Sequence, residues 1–310
     1  MKTARRLYRL QLAFASLGLA AAFVSAFTVL GGVSLAMPSP GALAAACTRW
    51  VPAVTIVQAL LLGLGALALA VVVLGVRSLA RQLRCGWRNL RCFKRGSRPV
   101  EIAGKRCWVV EDPEPQAFCT GLLCPRVYLS SGALELLQED ELQGVVAHEA
   151  YHAKRRDPLR FLVAGTLADA LFFLPALRRM SERYAALAEV AADQAAVQAT
   201  FGSTALASAL LRFGEHSVDT PALVGVSCER VDALSGDAAA GRWQIPSRFL
   251  AVSAGAAGAF LAIAVVAHGT SEATISLPLL AAQSCMLVMA AAPVAAALLA
   301  LSLVRRVSRA

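Results

Sequence analysis

Four stretches without a charged residue constrain this chain more than any other feature. They run from Arg9 to Arg49, from Arg49 to Arg77, from Arg248 to Glu272 and from Glu272 to Arg305. Each is longer than the roughly 20 apolar residues that a helix needs to cross the hydrocarbon core of a bilayer. They predict membrane spans near residues 11–36, 51–76, 249–268 and 278–304. Their many Gly and Ala residues suit close helix packing in lipid, where small side chains let backbones approach. The first stretch follows a basic N-terminus, as a secretory leader does. It is longer than a leader's apolar region, however, and Ala44-Ala45-Ala46-Cys47 is only a loose lipoprotein-type sequence. An uncleaved anchor is the reading it supports.

The flanks fix an orientation. Lys2, Arg5, Arg6 and Arg9 precede the first span, Arg305, Arg306 and Arg309 follow the last, and the loops near residues 37–50 and 269–277 hold Arg49 as their one basic residue. By the positive-inside rule, both termini and the whole middle segment face the cytoplasm, which four spans allow. The net charge of +10 divides the same way. Residues 77–106 carry ten Lys or Arg and one acid, Glu101, a net of +9, whereas residues 107–247 carry eleven basic and eighteen acidic residues, a net of −7. The basic run reads as an orientation signal that also touches anionic lipid headgroups, because no aromatic-interleaved motif or recognition-helix pattern accompanies it. Only 16% of the residues are charged, against about a quarter in soluble domains, so a purely soluble protein is excluded. Six of the eight cysteines fall on the cytoplasmic side, where thiols stay reduced, and a disulfide framework is not expected. Cys119 and Cys124 resemble half a zinc site, but no second pair completes it, and they read as small apolar filler.

The chemistry lies in the middle segment. Residues 100–110 and 116–130 are rich in Val, Tyr, Phe and Cys around a turn at Asp112-Pro113-Glu114-Pro115, and predict short strands, the last at residues 126–130. Gln138-Glu139-Asp140-Glu141 then opens a helix with acids in its first turn, where the helix dipole favours them. That helix runs into His148-Glu149-Ala150-Tyr151-His152, an H-E-x-x-H motif. One turn apart on one helical face, His148 and His152 can converge on a zinc ion, while Glu149 is displaced round the helix, where it can act as general base. Zinc lowers the pKa of bound water and polarises a carbonyl, so the constellation describes amide hydrolysis.

A third ligand is needed. The residues after His152 lack the further Gly and His of a metzincin, His268 falls on the outer side, and His216 stands in a loop-like stretch. Glu189, in Glu189-Val190-Ala191-Ala192-Asp193 on an alanine-rich helix from about residue 177 to 200, is the better candidate. Asp193, one turn on, can accept a hydrogen bond from a ligand imidazole and fix its tautomer. Residues 161–177 are apolar apart from Asp169. A crossing there would put Glu189 on the wrong side of the membrane, so this segment must be a core helix, an interfacial helix or a re-entrant hairpin.

The ordered set Gln116-Ala117-Phe118-Cys119-Thr120-Gly121, Pro125 to Ser130, His148 to His152 with Arg155-Arg156-Asp157, and Glu189 to Asp193 resembles the membrane metallopeptidases of the BlaR/MecR type. It is more distantly similar to the HtpX and CAAX prenyl protease type. The resemblance implies a mainly α, integral membrane protein: four transmembrane helices with a cytoplasmic-side α+β gluzincin-like metallopeptidase domain between the second and third. The organisation expected is a membrane hairpin at 1–76, a basic juxtamembrane segment at 77–106, a zinc metallopeptidase domain at 107–247 and a second membrane hairpin at 248–310. His148, His152 and Glu189 match the ligands of one zinc ion, and Glu149 matches the general base. The expected activity is endopeptidase cleavage at the cytoplasmic face of the cell membrane, of a transcriptional repressor as in sensor members or of membrane proteins as in quality control. The chain ends a few residues after the fourth span, so a C-terminal penicillin-binding sensor domain is not expected. The alternative is a catalytically idle membrane scaffold that retains the metal site. An extended peptide substrate is expected to add beside the strand at residues 126–130. No sequence feature identifies the residue that stabilises the oxyanion; Tyr151, Tyr184 and the arginines are equal candidates.

Overall fold

The computed structural model describes residues 2–34, 36–48, 56–94, 96–200, 202–216, 230, 234, 245–268, 275–276 and 278. Three helices are long and apolar enough to cross a bilayer, at Thr3–Gly32, Gln58–Arg88 and Ser247–Val266. Large apolar side chains on them face outward, among them Leu17, Phe23, Phe27, Leu30, Val72 and Val265. Water would not tolerate so much contiguous apolar surface, whereas lipid requires it. The expected fourth span, residues 278–304, lies almost wholly outside the described residues.

The chain separates into two compact units. One holds residues 20–69 and 258–310. It contains the distal part of α1 (Lys2–Gly32), β1 (Val33–Ser34), α2 (Pro40–Thr48) and the first turns of α3 (Ile56–Lys94). Leu64 packs there against Ala21, Val29, Phe260 and Ala264.

The other unit, residues 1–19 and 70–257, carries the chemistry. The helix expected to end near residue 76 runs unbroken to Lys94. Leu-Ala-Arg-Gln-Leu-Arg is composed of good helix formers, so leaving the apolar stretch gives no reason to stop. Most of the basic run is thus the end of a membrane helix, and the sheet begins at residue 98, ahead of the expected domain start. That sheet has β2 (Arg98–Ile102), β3 (Lys105–Val110), β4 (Ala117–Thr120) and β5 (Arg126–Ser130), in the order β2-β3-β5-β4. Ala103 and Gly104, both at positive φ, form the tight turn that matches strand twist between β2 and β3. Strand β5 pairs with β3 on one side and β4 on the other, so the expected docking of a peptide beside it is corrected: the open edge near the motif is β4.

Helix α4 (Ser131–Leu136) leads into α5 (Glu139–Arg155), which is followed by α6 (Asp157–Ala170), α7 (Pro175–Ala199) and α8 (Thr204–His216). The start of α5 is held by Glu141, whose carboxylate accepts from the Gln138 backbone N–H at 2.9 Å and also meets Ser208 and Arg212 of α8. Val145 and Val146 of α5 sit in a core with Cys107, Val127, Leu129 and Phe213. The segment 161–177 comprises most of α6, a turn and the start of α7: α6 has 14 residues, about 21 Å, too short for a crossing. Its carbonyl at Ala164 accepts from Gln11 of α1, and Asp169 near its end accepts from Ser78 and Arg81 of α3. Helix α9 (Ser247–His268) returns through Ser253, whose hydroxyl accepts from the Ala176 N–H, and β6 (Ile275–Ser276) follows.

Candidate metal centre

Helix α5 carries His148 and His152 on the face it turns to α7, and α7 carries Glu189 opposite them. Nε2 of His148 lies 3.3 Å from Nε2 of His152. The Glu189 carboxylate is 3.4 Å from the first and 3.5 Å from the second. Zinc binds nitrogen and oxygen at about 2.0 to 2.1 Å, which puts neighbouring tetrahedral ligands roughly 3.3 to 3.4 Å apart. The two Nε2 atoms fit that figure, and the carboxylate turns Oε2 to His148 and Oε1 to His152, so these residues could hold one metal ion. Both imidazoles are buried, while the Glu189 side chain is 34% exposed, so the cluster opens on the carboxylate side. Among the described residues this is the group of His, Cys, Asp and Glu that a metal would suit; His216, His268, Cys119 and Cys124 have no part in it.

A second layer holds the rings. Arg156 takes the left-handed conformation, φ 55 and ψ 42, which ends α5 and starts α6 in one residue. The reversal brings Asp157 back to His152, whose Nδ1 lies 3.0 Å from Oδ2. Tyr184 of α7 donates its hydroxyl to the other oxygen at 3.0 Å, and Arg160 lies 3.6 Å from it. On the other histidine, Nδ1 is 2.9 Å from Asp193 Oδ1, though the approach is bent and makes a charge contact rather than a straight hydrogen bond. Asp193 is held in turn by Arg230, which donates through Nε and Nη2 at 2.7 Å each and reaches Glu189 through Nη1 at 3.6 Å.

Charge follows from this packing. Burial works against a protonated His148, but Asp193 and Glu189 outweigh it and lift the ring to about 9, so the pocket attracts a cation. Burial would raise Glu189 and Asp193, yet contact with His148 and the Arg230 guanidinium hold both below the ordinary carboxylate range. Glu149, buried beside the two histidines, is pushed up by loss of water. Burial and then the charges of Glu149 and Asp157 raise the Cys119 thiol, which places this residue of β4 next to the site.

The structure therefore brings together His148, Glu149, His152, Glu189 and Asp193, all named from spacing. It adds Asp157, Tyr184 and Arg230. Arg230 stands in the stretch from Glu229 to Asp237, which reads from sequence as a short polar helix or linker, and no spacing rule ties it to Asp193, 37 residues earlier. Asp157 had a signal in its position just after the motif helix. Tyr184, considered for the oxyanion, has its hydroxyl committed to Asp157.

Residues 91–228 match Peptidase family M48. The match takes in β2 to β5, the H-E-x-x-H helix and Glu189, and stops two residues short of Arg230. Similar curated proteins include three named Protease HtpX homolog. One from Acidiphilium cryptum is 32% identical over 143 residues, covering 36% of this chain and 50% of the relative. One from Pyrococcus furiosus is 34% identical over 127 residues, 38% of this chain and 44% of the relative. One from Salinibacter ruber is 43% identical over 79 residues, 25% of this chain and 29% of the relative. The chain thus spans half or less of these relatives' length. No solved structure matches it. The chain is thus similar over these residues to Peptidase family M48 and to proteins named Protease HtpX homolog, the HtpX arm of the resemblance; the narrower BlaR/MecR assignment is not carried by these matches.

Proposed function

We propose that this chain is a zinc-dependent membrane endopeptidase that cleaves peptide bonds at the cytoplasmic face. The observation that carries the reading is the convergence of three donor residues, two imidazole Nε2 atoms 3.3 Å apart with a carboxylate oxygen within 3.5 Å of each, together with one open side and a buried carboxylate, Glu149, in the same helix turn. Structural zinc sites are closed by four protein ligands, whereas three ligands and an open side belong to catalysis. His148, His152 and Glu189 would hold a zinc ion, which when bound would supply a water of lowered pKa and polarisation of the scissile carbonyl. The protein's own residues do the rest. Asp157 and Asp193 engage the Nδ1 atoms and leave both Nε2 lone pairs free. Glu149 takes a proton at its carboxylate and returns it to the leaving amine; its raised pKa suits a group that must both accept and donate.

Substrate adds to β4. The Gln116 carbonyl accepts from the Ser130 N–H, and in an antiparallel ladder such bonds recur at every second residue. Phe118 and Thr120 therefore bond inward to β5, and the N–H and C=O of Cys119 point outward at the level of the site. An extended peptide pairing there lies across the metal ligands. The repressor substrate belongs to the BlaR/MecR-type resemblance, so we assign the substrate to membrane-associated proteins instead, in line with the HtpX-type relatives.

The test is Glu149→Gln. The variant should keep stoichiometric zinc and lose proteolysis, seen as accumulation of uncleaved membrane proteins in cells carrying it. Full turnover by that variant would overturn the reading and favour the scaffold.

A further inference from the structure

One side of α3 presents Val72, Val73, Val76, Arg77, Arg81, Arg84 and Arg88, and none of the metal centre. The four arginines recur at spacings of four, three and four. At 100° per residue they fall within about 60° of arc, in one row down a single helical face. All four are exposed. Arg81 meets Asp169 at 3.0 Å, and Arg77, Arg84 and Arg88 have no acidic partner among the described residues. Like charges one turn apart repel and weaken a helix, so an unneutralised row of this kind calls for an anion.

The row begins where the charge-free stretch ends, at Arg77. One end of this face is therefore apolar, with Val72, Val73 and Val76, and the other cationic. A small anion would use the arginines alone and leave the valines bare. A phospholipid matches both ends, with its acyl chain against the valines and its phosphate among guanidiniums, which grip phosphate oxygens in a bidentate way.

We infer that this face of α3 is a binding site for an anionic phospholipid headgroup, separate from the metal centre. The experiment uses the full chain in phosphatidylcholine nanodiscs doped with phosphatidylglycerol, then counts lipids retained after detergent release by native mass spectrometry. Wild type should retain phosphatidylglycerol in preference to phosphatidylcholine. Arg84→Gln/Arg88→Gln should lower that retention roughly 30-fold, since each basic residue at a membrane surface is worth a factor of about five. Both side chains are exposed, and circular dichroism confirms that helix content is kept. Arg5→Gln/Arg9→Gln, which removes two exposed charges from a different helix, α1, should leave retention unchanged. Equal loss in that control, equal retention of phosphatidylcholine, or lipid-free binding of inorganic phosphate with the same arginine dependence would each overturn the site.

Discussion

Asp157→Asn tests whether the layer behind the metal centre sets its chemistry. Asp157 is fully buried and accepts from two groups at once, with His152 Nδ1 at 3.0 Å and the Tyr184 hydroxyl at 3.0 Å. A carboxylate serves both; an amide has one oxygen. If that oxygen faces Tyr184, the NH₂ group faces Nδ1 and selects the tautomer with its proton on Nε2, the atom that must hold the metal. If it faces His152, the Tyr184 hydroxyl loses its acceptor in the core, at a cost of about 1 to 3 kcal/mol. Either way Arg155 and Arg160, at 3.8 and 3.6 Å, lose a counter-charge. Outer-layer changes of this kind typically lower metal affinity about 10- to 100-fold, or roughly 1.4 to 2.8 kcal/mol. The assay is zinc competition against a chromogenic chelator on metal-depleted protein, with circular dichroism to confirm folding. A folded variant whose zinc affinity lies within twofold of wild type would refute the claim that Asp157 orients His152.

Arg230→Met should destabilise by up to about 3 to 5 kcal/mol by removing both guanidinium bonds from buried Asp193 and leaving it only the His148 contact, and Asp193→Asn in the same chain should restore part of it; strict additivity in thermal unfolding would show the pair to be uncoupled. Burial and then the nearby Asp157 charge raise the Tyr184 hydroxyl from 10.0 to about 12. A folded pKa above the unfolded one gives stability that is present below pH 10 and lost as pH rises to 12, about 2 to 3 kcal/mol. Tyr184→Phe should lack that alkaline loss, and identical denaturation profiles between pH 10 and 12 would contradict it. Cys119→Pro removes an outward N–H from the β4 edge without touching the β5 ladder, so it should lower cleavage while zinc content stays the same; unchanged cleavage would remove β4 as the docking edge.

The motif positions were legible because they are local. His148 and His152 need only 3.6 residues per turn to share a face, and Glu189 to Asp193 repeats that spacing. Three of the four expected spans were legible as apolar helices because a bilayer excludes charge over a fixed length, although their ends were not: composition marks where lipid stops, and α3 continues as helix to Lys94 after it. What depended on tertiary structure was every pairing across distance. Nothing near Arg230 names Asp193 as its partner, nothing in the 126–130 strand says that both its edges are taken, and Asp157 reaches His152 only because Arg156 turns left-handed. Sequence by itself determined which residues sit on the same turn of the same helix and which stretches lipid can hold, since both follow from backbone geometry and solvation. The fold decided which of those turns face one another, because that depends on how whole helices and strands pack.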